Sequence, residues 1–438
     1  MMRDTATYWR FETSAVHAGY APDATTRAVA MPVYQTAAFA FDDTEHAAAL
    51  FEHKVPGSIY TRLGNPTTDC VAHRVTALEG GAGAVVLASG QAAVACALMA
   101  IAGAGHNIVA GSSLYGTTYH LLAHTLPQYG IEARLCDGND PAAFEAKIDA
   151  STRAIYCETV ANPSGRVADL AALSCIAERH GVPLIVDNTI ATPYLCRPFD
   201  HGAHVVVHSL TKYMGGHGTA LGGAIVDSGR FPWARHGERF ATLTQAAHGV
   251  RGSSFTDAYG DRAFVARCTW GPLRTMGAVI SPFNAFLVAQ GIETLALRME
   301  RICFNAGLIA RFLQQHEAVA WVRYPGLPDH PDHALCSRYL GGRGSGVLSF
   351  GMAGGRLAGA AFQDALRLVR RSTNLGDCKT LVCHPASTTH RQLSADDLQK
   401  SGTPEDLVRL SVGIEHVEDL LDDIDQALRR AYAVASAR

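Results

Sequence analysis

The sequence contains no C-x-x-C pair, no Cys/His cluster at zinc-ligand spacing, and no H-E-x-x-H, P-loop or G-x-S-x-G motif. It therefore gives no support for a structural zinc site, a zincin, a P-loop nucleotidase or a serine hydrolase. Charge is also scarce. Only 18% of residues are Asp, Glu, Lys or Arg, and the 37 basic and 40 acidic residues are interspersed. That leaves no basic field to hold a phosphate backbone, so no nucleic-acid partner is expected. The 11 cysteines are odd in number and scattered from Cys70 to Cys383, which suits reduced thiols used as small core residues. The opening MMRDTATYWRFETSAVH carries Asp4 and Glu12 and has no apolar run after a basic cluster. It reads as neither a secretory signal nor a transit peptide, and the expected compartment is the cytoplasm.

Apolar residues are abundant, at 48% of 438. The chain can bury a large core, general disorder is excluded, and the length predicts two or three domains. No Asp, Glu, Lys or Arg occurs from Gly80 to Ile131, and AGAVVLASGQAAVACALMAIAGAG within that stretch has the length of a membrane span. Ala and Gly dominate it, however, and Ser89-Gly90-Gln91 interrupts it. Strand, tight turn and helix inside a core is the reading, and no membrane partner is expected.

An irregular portion, 1–65, rich in Thr, Ala and Pro, precedes alternating short apolar runs and longer amphipathic segments. Strands are predicted at Ala84–Ala88, Asn107–Ala110, Ala133–Cys136, Ala154–Glu158, Pro183–Asp187, His204–His208 and Gly222–Val226. Helices are predicted at Gln91–Ala102, Gly116–Gln128 and Leu170–His180. Continuous apolarity suits strands covered on both faces, so residues 66–280 form an α/β domain with a mainly parallel sheet wrapped by helices. Within it, 228–275 is a polar, Gly-rich, aromatic-dotted excursion. A smaller α+β domain, 281–438, is predicted to contain a long helix from Ser281 through Leu313, strands at Gly346–Phe350, Leu381–Cys383 and Leu407–Val412, and helices at Phe362–Leu368 and Val417–Ala435.

Ligands of such sheets sit beyond the carboxyl ends of the strands. VVVHSLTKYMGGHGT (205–219) delivers Ser209, Thr211 and Lys212 there, followed by Gly215, Gly216 and Gly218. Read alone, Lys212 fits a surface lysine in a Gly-rich loop. Asp187 ends the apolar run PLIVD 25 residues earlier, about one crossover away, although alone it fits an N-cap or turn residue. Ser89-Gly90-Gln91 between strand and helix could present free N–H groups and a helix dipole to an anion. Tyr115 in SSLYGTTYH could stack on a planar ring or simply pack, and Asn162 follows the strand AIYCE. Pyridoxal phosphate would meet these demands together, since its aldehyde takes a lysine, its ring nitrogen a carboxylate and its phosphate hydroxyls and N–H groups.

The motifs VYQTAAFAFDDTEHAA, YTRLGNPTTD, LEGG, SGQAA, SLYGTTY, VDNTIATPYLCRPFDHGAHVVVHSLTKYMGGHGT, SPFNAFLVAQGIETLALRMER and HPASTTH carry a resemblance over nearly the whole chain. It resembles the pyridoxal-phosphate enzymes of cysteine and methionine metabolism, of the aspartate-aminotransferase-type fold (fold type I), and within them the O-acetylhomoserine sulfhydrylases. The resemblance implies pyridoxal 5'-phosphate as cofactor, with Lys212 as Schiff-base lysine and proton carrier, Asp187 as partner of the ring nitrogen, and Tyr115 stacked on the ring. Gly90, Gln91, Ser209 and Thr211 would hold the phosphate. Tyr60 and Arg62, in the N-terminal arm, would reach the phosphate site of a neighbouring subunit, Tyr60 also facing substrate, in a homotetramer built as a dimer of dimers. Asn162 would lie by the cofactor's 3-oxygen and the substrate carboxylate, which Arg409, assisted by Asn374, would bind. The implied reaction replaces the acetate of O-acetylhomoserine with sulfide or methanethiol, giving homocysteine or methionine. The alternatives are a methionine γ-lyase type of elimination, or O-succinylhomoserine sulfhydrylase or cystathionine γ-synthase activity. Thr117 and Thr219 stand where the γ-lyases carry Cys and Asp, and the 228–275 excursion is typical of the O-acetylhomoserine group. His384 and His390 in HPASTTH tempt a metal reading, but their spacing fits no common zinc pattern, and the resemblance makes the segment a wall of the substrate site.

Overall fold

The computed structural model describes residues 9–52, 54–136, 140–247, 250, 252–389, 391 and 402–436. The seven apolar runs form one sheet: β1 (Gly83–Leu87), β2 (Asn107–Gly111), β3 (Glu132–Cys136), β4 (Thr152–Glu158), β5 (Leu184–Asp187), β6 (Val205–Ser209) and β7 (Gly223–Asp227). Their spatial order is β1-β7-β6-β5-β4-β2-β3. Strands β2 to β6 pair in parallel, and only β7 runs antiparallel, between β6 and β1. Register places Glu158 beside Asp187, and Asp187 beside Val207 two residues before Ser209. Chemically useful groups therefore arrive together at one edge.

Each sheet face has its own core. One face packs Val75, Leu78, Leu173 and Ile292 from the helices Pro66–Glu79, Leu170–His180 and Pro282–Glu293. The other packs the helix Gly90–Ile101, whose N-cap Ser89 accepts a hydrogen bond from the Ala92 N–H. The uncharged stretch is thus strand, turn and helix, and no described helix is long and apolar enough to cross a membrane. Residues 228–275 are less polar in their role than in their composition. Phe231, Trp233, Phe240, Leu243, Phe255 and Phe264 are buried in this second core, with the Trp233 and Phe264 rings stacked at 5.4 Å.

The C-terminal portion has five strands, β8 (Val319–Arg323), β9 (Val347–Met352), β10 (Arg370–Arg371), β11 (Leu381–Cys383) and β12 (Leu407–Ser411), ordered β10-β11-β12-β9-β8. The expected long helix is two, Pro282–Glu293 and Leu295–Gln314, separated at Thr294. The helix expected at Phe362–Leu368 spans Gly355–Ala365. It stops there because the N–H groups of Arg367, Leu368 and Val369 donate to the Asp423 carboxylate at 2.8–3.0 Å, leaving the helical ladder. In the N-terminal arm, Phe11–His17 and Thr44–Phe51 are helical and an isolated bridge joins Ala38 to Tyr60.

Trp233→Ala should destabilise the protein by about 3–5 kcal/mol, as emptying a buried aromatic site does, read as an earlier urea unfolding transition. An unchanged transition would mean that the excursion is not part of the core.

Candidate active site

A cleft of about 180 Å³ opens at the carboxyl ends of β4, β5 and β6, lined in part by Ser89, Gly90, Gln91, Tyr115, Glu158, Asn162, Asp187, Thr189, Ser209, Thr211 and Lys212. Eight of the twelve residues singled out in the sequence are therefore in one place, and the other four need separate account. Asn374 is joined to the cleft by Lys212, whose Nζ donates to Asn374 Oδ1 at 2.5 Å. Arg409, almost fully buried on β12, reaches it through Nη1, which donates to Asn162 Oδ1 at 3.4 Å, while Nη2 donates to the Thr373 and Asn374 carbonyls. Among the described residues, Arg409 Nε is buried without a partner. Tyr60 and Arg62 stay outside the lining, both within the arm, with Arg62 over the Tyr60 ring at 5.4 Å and donating to the Arg274 carbonyl. That makes eight cleft residues from the sequence reading plus two attached to it, and the arm pair apart.

Close packing shapes the cleft floor. A Cβ on Gly90 would stand 2.6 Å from that of Ser209, so only glycine lets the start of the Gly90–Ile101 helix approach the end of β6. Ser209 N–H donates to Thr189 Oγ1 at 2.8 Å, and Thr211 Oγ1 accepts from Gly222 N–H at 3.1 Å. Gln91 is held by its amide, which donates to Thr118 Oγ1 at 2.8 Å. Tyr115 is half exposed at the start of the Gly116–His120 helix, its N–H donating to Glu158 Oε1 at 2.6 Å.

The electrostatics are unusual for neutral water. Asp187 accepts from Thr189 N–H at 2.9 Å and from the Tyr156 hydroxyl at 3.4 Å. Burial nonetheless raises its carboxyl above the ordinary range, against the hydrogen bonds from Thr189. Burial, and then the charge of Asp187, raise Glu158 well above its ordinary value. Lys212 moves the other way: desolvation, and then the Arg409 charge, lower its amine from 10.5 to about 8. Glu158, Thr189 and Tyr156 have no place among the candidate residues of the sequence, whereas Ser89 stands in the Ser89-Gly90-Gln91 turn expected there. The strand endings YCET and VDNT were the available signal for Glu158 and Thr189. His384 is no free ligand, since its ring nitrogens meet Ser387 Oγ and the Glu405 carbonyl, and His390 lies outside the described residues.

The sequence matches the profile of the Cys/Met metabolism PLP-dependent enzymes over residues 12–429. The chain belongs to that family. It is 45% identical over 422 residues to the homocysteine synthase of Schizosaccharomyces pombe, covering 96% of this chain and 98% of that one. It is also 45% identical to the O-acetyl-L-homoserine sulfhydrylase of Leptospira meyeri, over 95% of this chain and 96% of that one. A solved structure from Campylobacter jejuni, provisionally assigned as an O-acetylhomoserine (thiol)-lyase and carrying N'-pyridoxyl-lysine-5'-monophosphate, superposes with a TM-score of 0.92 at 39% identity, over 96% of this chain and 100% of that one. The cofactor of this Cys/Met metabolism enzyme is pyridoxal phosphate, and its architecture is fold type I. The cleft suits that molecule: a desolvated amine, a partly buried carboxylate with no cation bonded to it among the described residues, and a glycine-lined helix start lie around one space.

In the protein stripped of cofactor, acylation of Lys212 should become half-maximal near pH 8 and level off above it, as followed by peptide mass spectrometry across pH. Because the folded value lies below the unfolded 10.5, the unfolded chain binds the extra proton between the two, and stability gains from this group as pH rises through that window. Labelling that keeps rising to the ordinary lysine range would contradict the desolvated placement.

Proposed function

We propose that this enzyme replaces the acetate of O-acetylhomoserine with sulfide or methanethiol, giving homocysteine or methionine for methionine biosynthesis. The observation carrying the reading is the convergence of Lys212, Asp187 and the Asn162–Arg409 pair on one cleft, in a chain whose near-full-length relatives bear the names homocysteine synthase and O-acetyl-L-homoserine sulfhydrylase. Lys212 would take the cofactor's aldehyde, Asp187 its ring nitrogen, and Tyr115 the face of its ring. Gly90, Gln91, Ser209 and Thr211 would cradle the phosphate with N–H and hydroxyl groups. When bound, pyridoxal phosphate supplies an electron sink that lets charge develop beside the substrate's amino group.

The rest is the work of the chain. Arg409 holds the substrate carboxylate with the help of Asn162 and Asn374, which points Cα at Lys212. Its unpartnered Nε and its reach to Asn162 support that role. The Lys212 amine, lowered to about 8, gives up its own proton far more readily than an ordinary lysine, which suits it to take the Cα proton and return it further along the side chain. Asp187 would stay ionised beside the cofactor's ring nitrogen, whose positive charge would offset the burial that raises the carboxyl. Tyr60 and Arg62, outside the cleft of their own chain, serve the phosphate site of a neighbouring subunit, and the assembly is a tetramer of two such dimers. The 11 free cysteines suit a reducing cytoplasm.

The γ-lyase reading is disfavoured by Thr117 and Thr219, where the γ-lyases carry Cys and Asp. The test is the product mixture from O-acetylhomoserine with and without sulfide. The proposal expects homocysteine with sulfide and little turnover without it. Equal release of a 2-oxo acid and ammonia in both would overturn it in favour of elimination, and turnover of O-succinylhomoserine alone would overturn the acetyl preference.

A further inference from the structure

The loop carrying Lys212 is gripped by a side chain from the long helix of the C-terminal portion. Arg298, on Leu295–Gln314, is buried. Its Nη1 donates to the Tyr213 carbonyl at 2.6 Å, and its Nη2 to the Met214 carbonyl at 3.3 Å and the Gly291 carbonyl at 2.5 Å. Nε donates to Thr294 Oγ1 at 3.1 Å. The two residues directly after Lys212 thus hand their carbonyl oxygens to one planar fork. The surroundings are cut to fit it. A Cβ on Gly291 would stand 2.7 Å from the Met214 oxygen, and one on Gly376 would stand 2.9 Å from the Lys212 carbonyl carbon. Cys378 N–H closes the far end of the loop by donating to the Gly216 carbonyl at 2.8 Å.

Burying a guanidinium against neutral oxygens is expensive, and these oxygens gain an unusually exact common anchor in return. The arrangement also explains the break at Thr294: the Thr294 hydroxyl and the Gly291 carbonyl, at the junction of two helices, are two of the four partners. A lysine could not replace this fork, because an ammonium is a point charge without the planar spread of donors.

We propose that Arg298 is a positioning residue for the reaction: by gathering the Tyr213 and Met214 carbonyls it fixes where the Lys212 amine stands in the cleft, and so how effectively that amine moves a proton. This rests on the role given to Lys212 above. The charged groups facing the amine, Arg409 from β12, Asp187 from β5 and Glu158 from β4, do not touch Arg298. A change in the amine on altering Arg298 therefore reports placement.

The test is Arg298→Lys, measured three ways against wild type. With O-acetylhomoserine and sulfide, kcat should fall at least about tenfold while KM for O-acetylhomoserine stays within about threefold, since Arg409 and Asn162 are untouched. In the stripped protein, the titration of the Lys212 amine, read by acylation, should move up from about 8 toward the ordinary lysine range as the amine meets more water. A wild-type kcat and a wild-type titration would overturn the proposal. Borohydride reduction and peptide mapping of the loaded variant separate the two levels of inference: a label on another lysine sinks the role of Lys212 itself, whereas a label on Lys212 with unaltered kcat sinks only Arg298. Should Arg298→Lys not fold, Thr294→Val, which removes the acceptor of Nε together with the 3.4 Å bond from the Thr294 hydroxyl to the Gly291 carbonyl, carries the test. A fall in kcat of about threefold at constant KM supports the proposal, and no fall overturns it.

Discussion

Two neighbouring carboxylates, Glu158 buried and Asp187 partly buried at the cleft, are the constraint on which the site depends. Glu158 and Asp187 are paired across adjacent parallel strands, and burial pushes both toward the protonated state. Two such groups can share a low-dielectric edge only if hydrogen bonds or a cation compensate at least one of them. Glu158 receives the Tyr115 N–H, which orders the tyrosine's loop. Asp187 receives Thr189 and Tyr156 and, among the described residues, still lacks a cation bonded to it. On the proposed reading, the ring nitrogen of bound pyridoxal phosphate, when protonated, would supply that cation.

The same edge shows why a mostly parallel sheet suits the chemistry. Parallel pairing stacks the carboxyl ends of β4, β5 and β6 in register, so residues distant in sequence meet without any loop having to span far. Glycine then sets the closeness, Gly90 against Ser209 on the floor and Gly376 against the backbone of Lys212. The C-terminal portion contributes Asn374 to the amine, Arg409 to the cleft and Arg298 to the loop. The cleft is therefore finished by the second half of the chain, and the amine's lowered value reflects burial by both halves.

Much of this was legible in the amino-acid order because the physics was local. Seven strands of the large sheet were found within about two residues, since strands covered on both faces are continuous apolar runs between Gly and polar breaks. Lys212, Asp187 and Gly90 stood out at strand ends. What was not legible came from elsewhere in the fold. Val319–Arg323 was missed because an edge strand is partly exposed and carries no uniform apolar run. The true end of the Gly355–Ala365 helix depends on Asp423, nearly sixty residues away. Glu158 looked like an ordinary strand terminus until the register set it beside Asp187, and the grip of Arg298 on two carbonyls has no sequence pattern. The parts proposed for Tyr60 and Arg62 rest on the resemblance, since both stay outside the cleft lining of their own chain.

The most direct test of the account is Asp187→Asn, which keeps the size of the side chain and one accepting oxygen while removing the charge that a protonated ring nitrogen would require. The variant should still take up pyridoxal phosphate on Lys212 and remain yellow, while kcat with O-acetylhomoserine and sulfide falls by roughly a hundredfold or more, the scale on which lost electrostatic stabilisation is felt. A yellow variant turning over at near the wild-type rate would show that the Asp187 charge is not what the site is built around.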